Sequence, residues 1–232
     1  MALQKSILFI FSLVMAVSSP VFAADDLRYL TVSGEGSVAS APDMATVHLG
    51  VQRDARDAGA AMAATSEAAA SILTSLEAAG VATSDIQTTR IGLDPRYARQ
   101  NDNNPPRITG YIASNDLVVR VRDLDALGGI LDKLISDGAN SFRGISFGVS
   151  ETSDLINAAR IAAVKDAMQR AETLASAAGV TLGAIQSMSE GGGGAVPQPM
   201  MRSAMVAEAA VPVAQGEIEV RSRVTVVFEI SD

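Results

Sequence analysis

The sequence predicts an α+β fold: a two-layer arrangement with a mixed, largely antiparallel sheet packed by helices, built from a duplicated strand-helix-strand-strand unit. Three observations predict it. Segments alternating apolar and polar residues interleave with two long alanine-rich stretches of helical period. The run Ala78-Ala79-Gly80-Val81, followed by Ile86-Gln87, returns 99 residues later as Ala177-Ala178-Gly179-Val180 and Ile185-Gln186. At the same offset, two polar loops at residues 95–107 and 191–214 fall between equivalent strands.

The elements follow in order. Residues 29–38 alternate as a half-buried strand does, until the glycines Gly34 and Gly36. Ala41-Pro42-Asp43 makes a turn, and Ala45, Val47, Leu49 and Val51 alternate in a second strand expected to pair antiparallel with the first. Residues 57–79 read as a helix, with Met62, Ala69, Leu73 and Leu76 on its apolar side and Gly80 placed for a left-handed cap. Residues 86–93 and 108–121 are strands on either side of the first polar loop. A shorter helix at 124–136 has Asp123 as N-cap and Asp137-Gly138 as its stop. Ile145, Phe147 and Val149 begin the second copy, and Thr152 or Ser153 caps its long helix. There Ile161, Val164, Met168, Ala171, Ala175 and Ala178 form an apolar seam, while Asp166 and Arg170, four apart, suit a solvated side. Strands at 182–189 and 218–230 flank the second loop. The succession from Met44 to Val149, strand-helix-strand-strand-helix-strand, is ferredoxin-like.

Before this body stands an export leader. Lys5 gives a positive start, an apolar stretch follows, and Val21-Phe22-Ala23 places small residues for cleavage after Ala23. The apolar run is short for a span, and no second run of that length follows, so the mature chain is not expected to insert into a membrane. A single domain at 24–232 is expected, with repeats at about 43–121 and 142–230. Export leads to an oxidising compartment, yet with no cysteine the chain has no disulfide to form there.

The formal net charge of −8 opposes nucleic acid, whose phosphates require a clustered basic face. With no tryptophan and few aromatic residues, a stacking platform for bases or sugars is equally unsupported.

Candidate chemistry is sparse. His48 is the one histidine, so a histidine-assisted nucleophile would have to be built around it, yet the strand alternation turns it away from Val47, Leu49 and Val51. A surface or partner-facing histidine is expected. Zinc sites needing several histidines or cysteines are excluded. Gly34-Glu35-Gly36 resembles half of a dinucleotide fingerprint, but the third glycine and the following helix are missing, and strand glycines more often mark a bulge or close backbone contact. Glu35 and Asp43 are acid-base candidates only if buried; solubility and turn formation are the expected roles. No cofactor is expected. Met200, Met201 and Met205 beside a glycine run offer soft ligands for Cu(I), or an adaptable surface for a neighbouring subunit. Arg90, Arg96, Arg99 and Arg107 gather positive charge near Tyr97 and Tyr111, fit either for solvent or for an acidic surface of another copy.

Val32-Ser33-Gly34-Glu35-Gly36, Ala41-Pro42-Asp43, Leu93-Asp94-Pro95-Arg96-Tyr97, Ile108-Thr109-Gly110-Tyr111, Phe147 and Gly179-Val180-Thr181-Leu182-Gly183 appear in a fixed order. Gly216-Glu217-Ile218-Glu219-Val220 and Val224-Thr225-Val226-Val227-Phe228 complete the set. Together they resemble the SIMPL-domain family over essentially the whole mature chain, in its bacterial periplasmic immunogenic and oxidative-stress-defence branch. The resemblance implies a periplasmic protein with no established enzyme activity, assembly into ring- or channel-like homo-oligomers, and a role in envelope or oxidative stress. It carries over no catalytic residues. Arg96, Tyr97, Arg99, Arg107, Met200, Met201 and Met205 are the candidate oligomer contacts.

Overall fold

The computed structural model describes residues 28–98, 106–191 and 214–232, and the backbone of 198–200; the expected leader at residues 1–23 lies outside these residues. The elements are β1 (Arg28–Ser40), β2 (Met44–Ala55), α1 (Ala58–Ala78), β3 (Ile86–Tyr97), β4 (Ile108–Val121), α2 (Leu127–Ser136), β5 (Ser141–Gly148), α3 (Ser153–Ala178), β6 (Thr181–Glu190), β7 (Gln198–Met200) and β8 (Glu217–Ser231). Local signals set several ends. The Asp57 side chain accepts from the Ala60 amide at 3.1 Å and opens α1, while Gly80 and Gly179 adopt φ of 80° and 71° after α1 and α3. Asp123 is not the N-cap of α2, which starts three residues later than expected. Its Oδ1 accepts from the amides of Asp125 and Ala126, shaping a turn after which α2 begins at Leu127.

The α+β class holds, with two antiparallel sheets in place of one. The first has the order β3-β4-β2-β5 and the second β1-β8-β6, with β7 also against β8. The expected β1–β2 pair does not form. β1 zips along β8 from Arg28↔Ile230 to Ser40↔Ile218, and β2 lies between β4 and β5. Alternation specifies that a strand has one buried face but is blind to its neighbour, and β8 offers a matching apolar face over the full length of β1. The first sheet with α1 and α2 is the ferredoxin-like unit. The 99-residue offset aligns β5 with β2, yet the place beside β8 is taken by β1, so the topology does not present two closed copies.

Residues 44–148 are thus inserted between β1 and α3, and each sheet has its own core. Ala45, Val47, Leu49, Val51, Leu117 and Val119 pack under Ile72 and Leu76 of α1 and Leu127, Leu131 and Leu134 of α2. Val32, Val224, Val226 and Phe228 pack under Ala163, Ala167 and Ala171 of α3. Two short links join the bodies, and Asp43 clasps them together. Its amide donates to the Gly148 carbonyl at 3.0 Å, and its carboxylate accepts from the Ser150 amide and hydroxyl, both at 2.7 Å.

The second helix packs in an unexpected way. The buried positions of α3 are Ala159, Ala163, Ala167, Ala171 and Ala175, four apart, while Ile161 of the expected seam is exposed and Val164 and Met168 are half-buried. The small residues win because the helix lies almost on the backbone of β1. A Cβ on Gly34 would stand 2.2 Å from the Ala163 carbonyl oxygen, and one on Gly36 would stand 2.2 Å from that of Ala159. The Gly34-Glu35-Gly36 motif is therefore a docking strip for α3. Asp166 and Arg170 then reach past the pair they form with each other. Asp166 Oδ2 accepts from the Glu35 amide at 2.8 Å, and Arg170 donates to the Ser33 carbonyl at 3.2 Å, which occupies the free edge of β1.

One ion pair locks the first sheet. Arg122, just past β4, donates through Nε and Nη2 to both carboxylate oxygens of buried Asp85, at 2.7 and 3.0 Å, ahead of β3. Those hydrogen bonds hold the Asp85 carboxyl below its usual range, against the opposing effect of burial. A depressed carboxyl stabilises the fold above about pH 4, the unfolded-state value, and that contribution is lost as pH falls through the folded-state value. Asp85→Asn is expected to lower the urea midpoint at pH 7, with the gap to wild type closing below pH 4. A gap independent of pH would show that the charge is not what stabilises this corner.

Candidate contact surface

The β3–β4 hairpin carries most of the candidate residues. Arg96 is bound within its own chain: Nη1 meets Asp54 Oδ2 at 2.9 Å, beside Gly110, and the Arg96 carbonyl accepts from the Thr109 hydroxyl at 3.1 Å. Tyr97 and Arg107 are exposed near the hairpin end, where the Ala98 amide donates to the Arg107 carbonyl at 2.8 Å. Tyr111 is half-buried opposite Pro95. The Arg90 side chain lies over Gly92, and no carboxylate pairs it among the described residues. Arg99, Met201 and Met205 lie outside the described residues; Met200, on β7, is placed only as backbone, opposite Glu217 of β8. The structure therefore brings Tyr97, Arg107 and Arg90 to one free hairpin and ties Arg96 down.

The acid-base candidates are engaged or isolated. Asp43 is the clasp described above, and Glu35 is ion-paired with Arg223 on the outer side of the second sheet. His48 is exposed on the outer side of the first sheet, between Val118 and Gly144, as the alternation predicts. Near it Arg143 donates to buried Asp116 at 2.6 Å, in room left by Gly50, whose Cβ would stand 2.6 Å from Asp116 Oδ1. Among the described residues no group of three or more histidine, aspartate or glutamate side chains stands ready to hold a metal.

Sequence reasoning missed the apolar residues of this surface. Ile91 and Leu93 face the helix side of the first sheet, opposite Asn115 and Ala113, but α1 lies over β4 and β2 and stops short of β3. They remain 63% and 43% exposed. The second sheet repeats the arrangement. Ile185 and Met188 on β6 sit beside Phe228 and Val226, yet α3 covers mainly β1 and β8, leaving them 44% and 47% exposed. The legible signal was a pair of large apolar residues on each strand that turned out to lie at the outer edge of its sheet, beyond the reach of the covering helix.

The sequence that folds this way is matched by known proteins along most of its length. The SIMPL profile, described as a protein of unknown function (DUF541), matches residues 30–228. The chain belongs to the SIMPL family. Among SIMPL relatives it is 39% identical over 232 residues to the 26 kDa periplasmic immunogenic protein of Brucella melitensis, covering 94% of this chain and 93% of that protein. It is 31% identical over 223 residues to the uncharacterized protein YggE of Edwardsiella ictaluri, covering 94% and 93% respectively. With YggE of Escherichia coli K12 the identity is 30% over 225 residues, covering 93% and 90%. Neither the SIMPL description nor these names state an enzyme activity. Among the described residues no helix is long and apolar enough to cross a membrane.

Proposed function

We propose that this SIMPL protein is a non-enzymatic periplasmic protein whose working state is a homo-oligomer of ring or channel form, serving the envelope under oxidative or other stress. The observation that supports assembly is the pair of uncovered apolar strips on β3 and β6, since large side chains on outer strands gain little in a monomer and bury readily against a partner. The periplasmic setting is supported by the leader at residues 1–23 and by the name of the Brucella relative. Residues that acid-base chemistry would need are used as clasps and ion pairs, which supports a non-enzymatic role.

Size-exclusion chromatography with light scattering on the chain from Ala24 tests the reading. A mass several times that of one chain at micromolar concentration is expected; a monomer there removes it. For the stress role, a strain lacking the protein is expected to lose viability under peroxide and recover it on complementation. Equal survival of the two strains removes that part.

A further inference from the structure

We infer that the two bodies pivot as rigid units on the paired links between them, and that the Asp43 clasp, not packing between the bodies, sets their angle. The inference is independent of the assembly reading above and adds a conformational device to the fold.

Each body is closed on itself. The inner body, 44–148, gathers its core under α1 and α2, the outer body gathers its own under α3, and neither core takes a side chain from the other. The ion pairs divide in the same way. Asp54–Arg96, Asp85–Arg122 and Asp116–Arg143 lie within the inner body, and Glu35–Arg223, Arg160–Glu190 and Asp166–Arg170 within the outer. Helices likewise rest on strands of their own body, α1 on β2 and β4, and α3 on β1 and β8. Bodies joined without a large apolar interface are free to move relative to one another.

What passes between the bodies is the chain itself, twice and side by side. Residues 41–43 lead from β1 into β2, and residues 149–152 lead from β5 into α3. Because Met44 of β2 pairs with Gly148 of β5, both links leave the same end of the inner sheet. Two adjacent crossings permit a swing about the line that joins them and resist twisting, which is the geometry of a hinge. Pro42 stiffens the first of them. Asp43 ties the two together at this line: its amide donates to the Gly148 carbonyl, and its carboxylate holds the Ser150 amide and hydroxyl on the other link. Bonds to an ionised carboxylate are stronger than neutral ones, so the clasp can hold one angle where packing does not. Beside it lies an open cleft of about 590 Å³, between Arg122, Asp123, Leu124 and Asp125 of the inner body and Gln215 of the outer. A swing on the links widens or narrows this cleft, whose walls are mainly polar and already wet.

The chain has no cysteine, so spin labels attach only where one is introduced. Labels at Ser71→Cys on α1 and Ser176→Cys on α3, both exposed, span the two bodies, and labels at Ser71→Cys and His48→Cys stay within the inner one. Labelled chains from Ala24 are diluted in unlabelled chain, so that each reports only on itself in any assembly. With the clasp intact, electron-resonance distance measurements are expected to give one narrow peak for the spanning pair. Asp43→Ala is expected to broaden that peak about twofold or more, as a released hinge does. Ser150→Ala, which keeps the amide bond, is expected to broaden it less, and Asp43→Asn, which keeps an acceptor for that amide, to leave it near its original width. The inner pair is expected to stay unchanged in every variant. A spanning peak that Asp43→Ala leaves as it was, narrow or broad, would overturn the inference, because something other than the clasp then governs the angle. Equal broadening of the inner pair would overturn it too, by showing that the inner body does not move as a unit.

Discussion

Gly34→Val is expected to destabilise the second sheet by about 3 kcal/mol or more, because the added Cβ meets main chain that has nowhere to go. Its nearest neighbours would be the Ala163 carbonyl at 2.2 Å and the Ala167 amide at 2.4 Å, both in the middle of α3. Flexible side chains can swing aside, but a helix backbone moves only as a body. α3 would have to lift from β1, exposing Val32, Val224, Val226 and Phe228 and breaking the Asp166 and Arg170 contacts to the strand. Gly129→Ala provides the control. It lies in α2 with nothing within 4 Å of an added Cβ, and helix propensity favours alanine by up to about 1 kcal/mol. Urea unfolding of the two variants reads the contrast. Equal midpoints would mean that the helix does not rest on the strand as closely as the glycines imply.

The second large effect concerns the separation of the cores. Phe228→Ala, at 1% exposure beneath α3, is expected to cost about 3–5 kcal/mol, and Leu117→Ala, equally buried in the first sheet, about 2–5 kcal/mol. Each loss should fall on one body, since the two cores have no residue in common and the links between them are a few residues long. Calorimetry is expected to show each substitution moving a different transition, and hydrogen exchange to show lost protection either within 44–148 or outside it. Coincident shifts of a single transition, with protection lost throughout, would show that the bodies unfold as one.

How far the sequence could be read depends on the range of the interaction behind each feature. Asp57, Gly80 and Gly179 act within one helical turn, so both long helices and three of their ends were legible; at the fourth, Thr152 stands at the start of α3 without a side-chain cap bond. So was the ferredoxin-like succession, which needs only the order of elements. Partner choice was not. β1 and β2 carry equivalent alternation, and nothing in the thirteen residues of β1 states that its neighbour begins near residue 217. The seam of α3 was read only in part: Ala171 and Ala175 are buried and Val164 and Met168 pack against the second core, but Ile161 is exposed and the contact centres on the alanine row, because the deciding quantity was clearance above Gly34 and Gly36. At the contact surface, Arg96 looked available because its carboxylate, Asp54, comes from a strand 42 residues away. Ile91 and Leu93 drew no attention because alternation cannot tell a covered strand from the one just beyond the helix.

Placing residues 44–148 inside the span between β1 and α3 has a consequence for the order in which the chain acquires structure. The inner body holds all its strands and helices in one contiguous stretch and can close as soon as that stretch is free. β1 must wait for a strand whose pairing with it starts at Arg28↔Ile230, nearly the whole chain apart, and loops of that length close slowly. In the export proposed above, N-terminus first, β1 would emerge early and stay single until the last residues follow, and a chain cut short before β8 would retain a folded centre with an orphaned first strand.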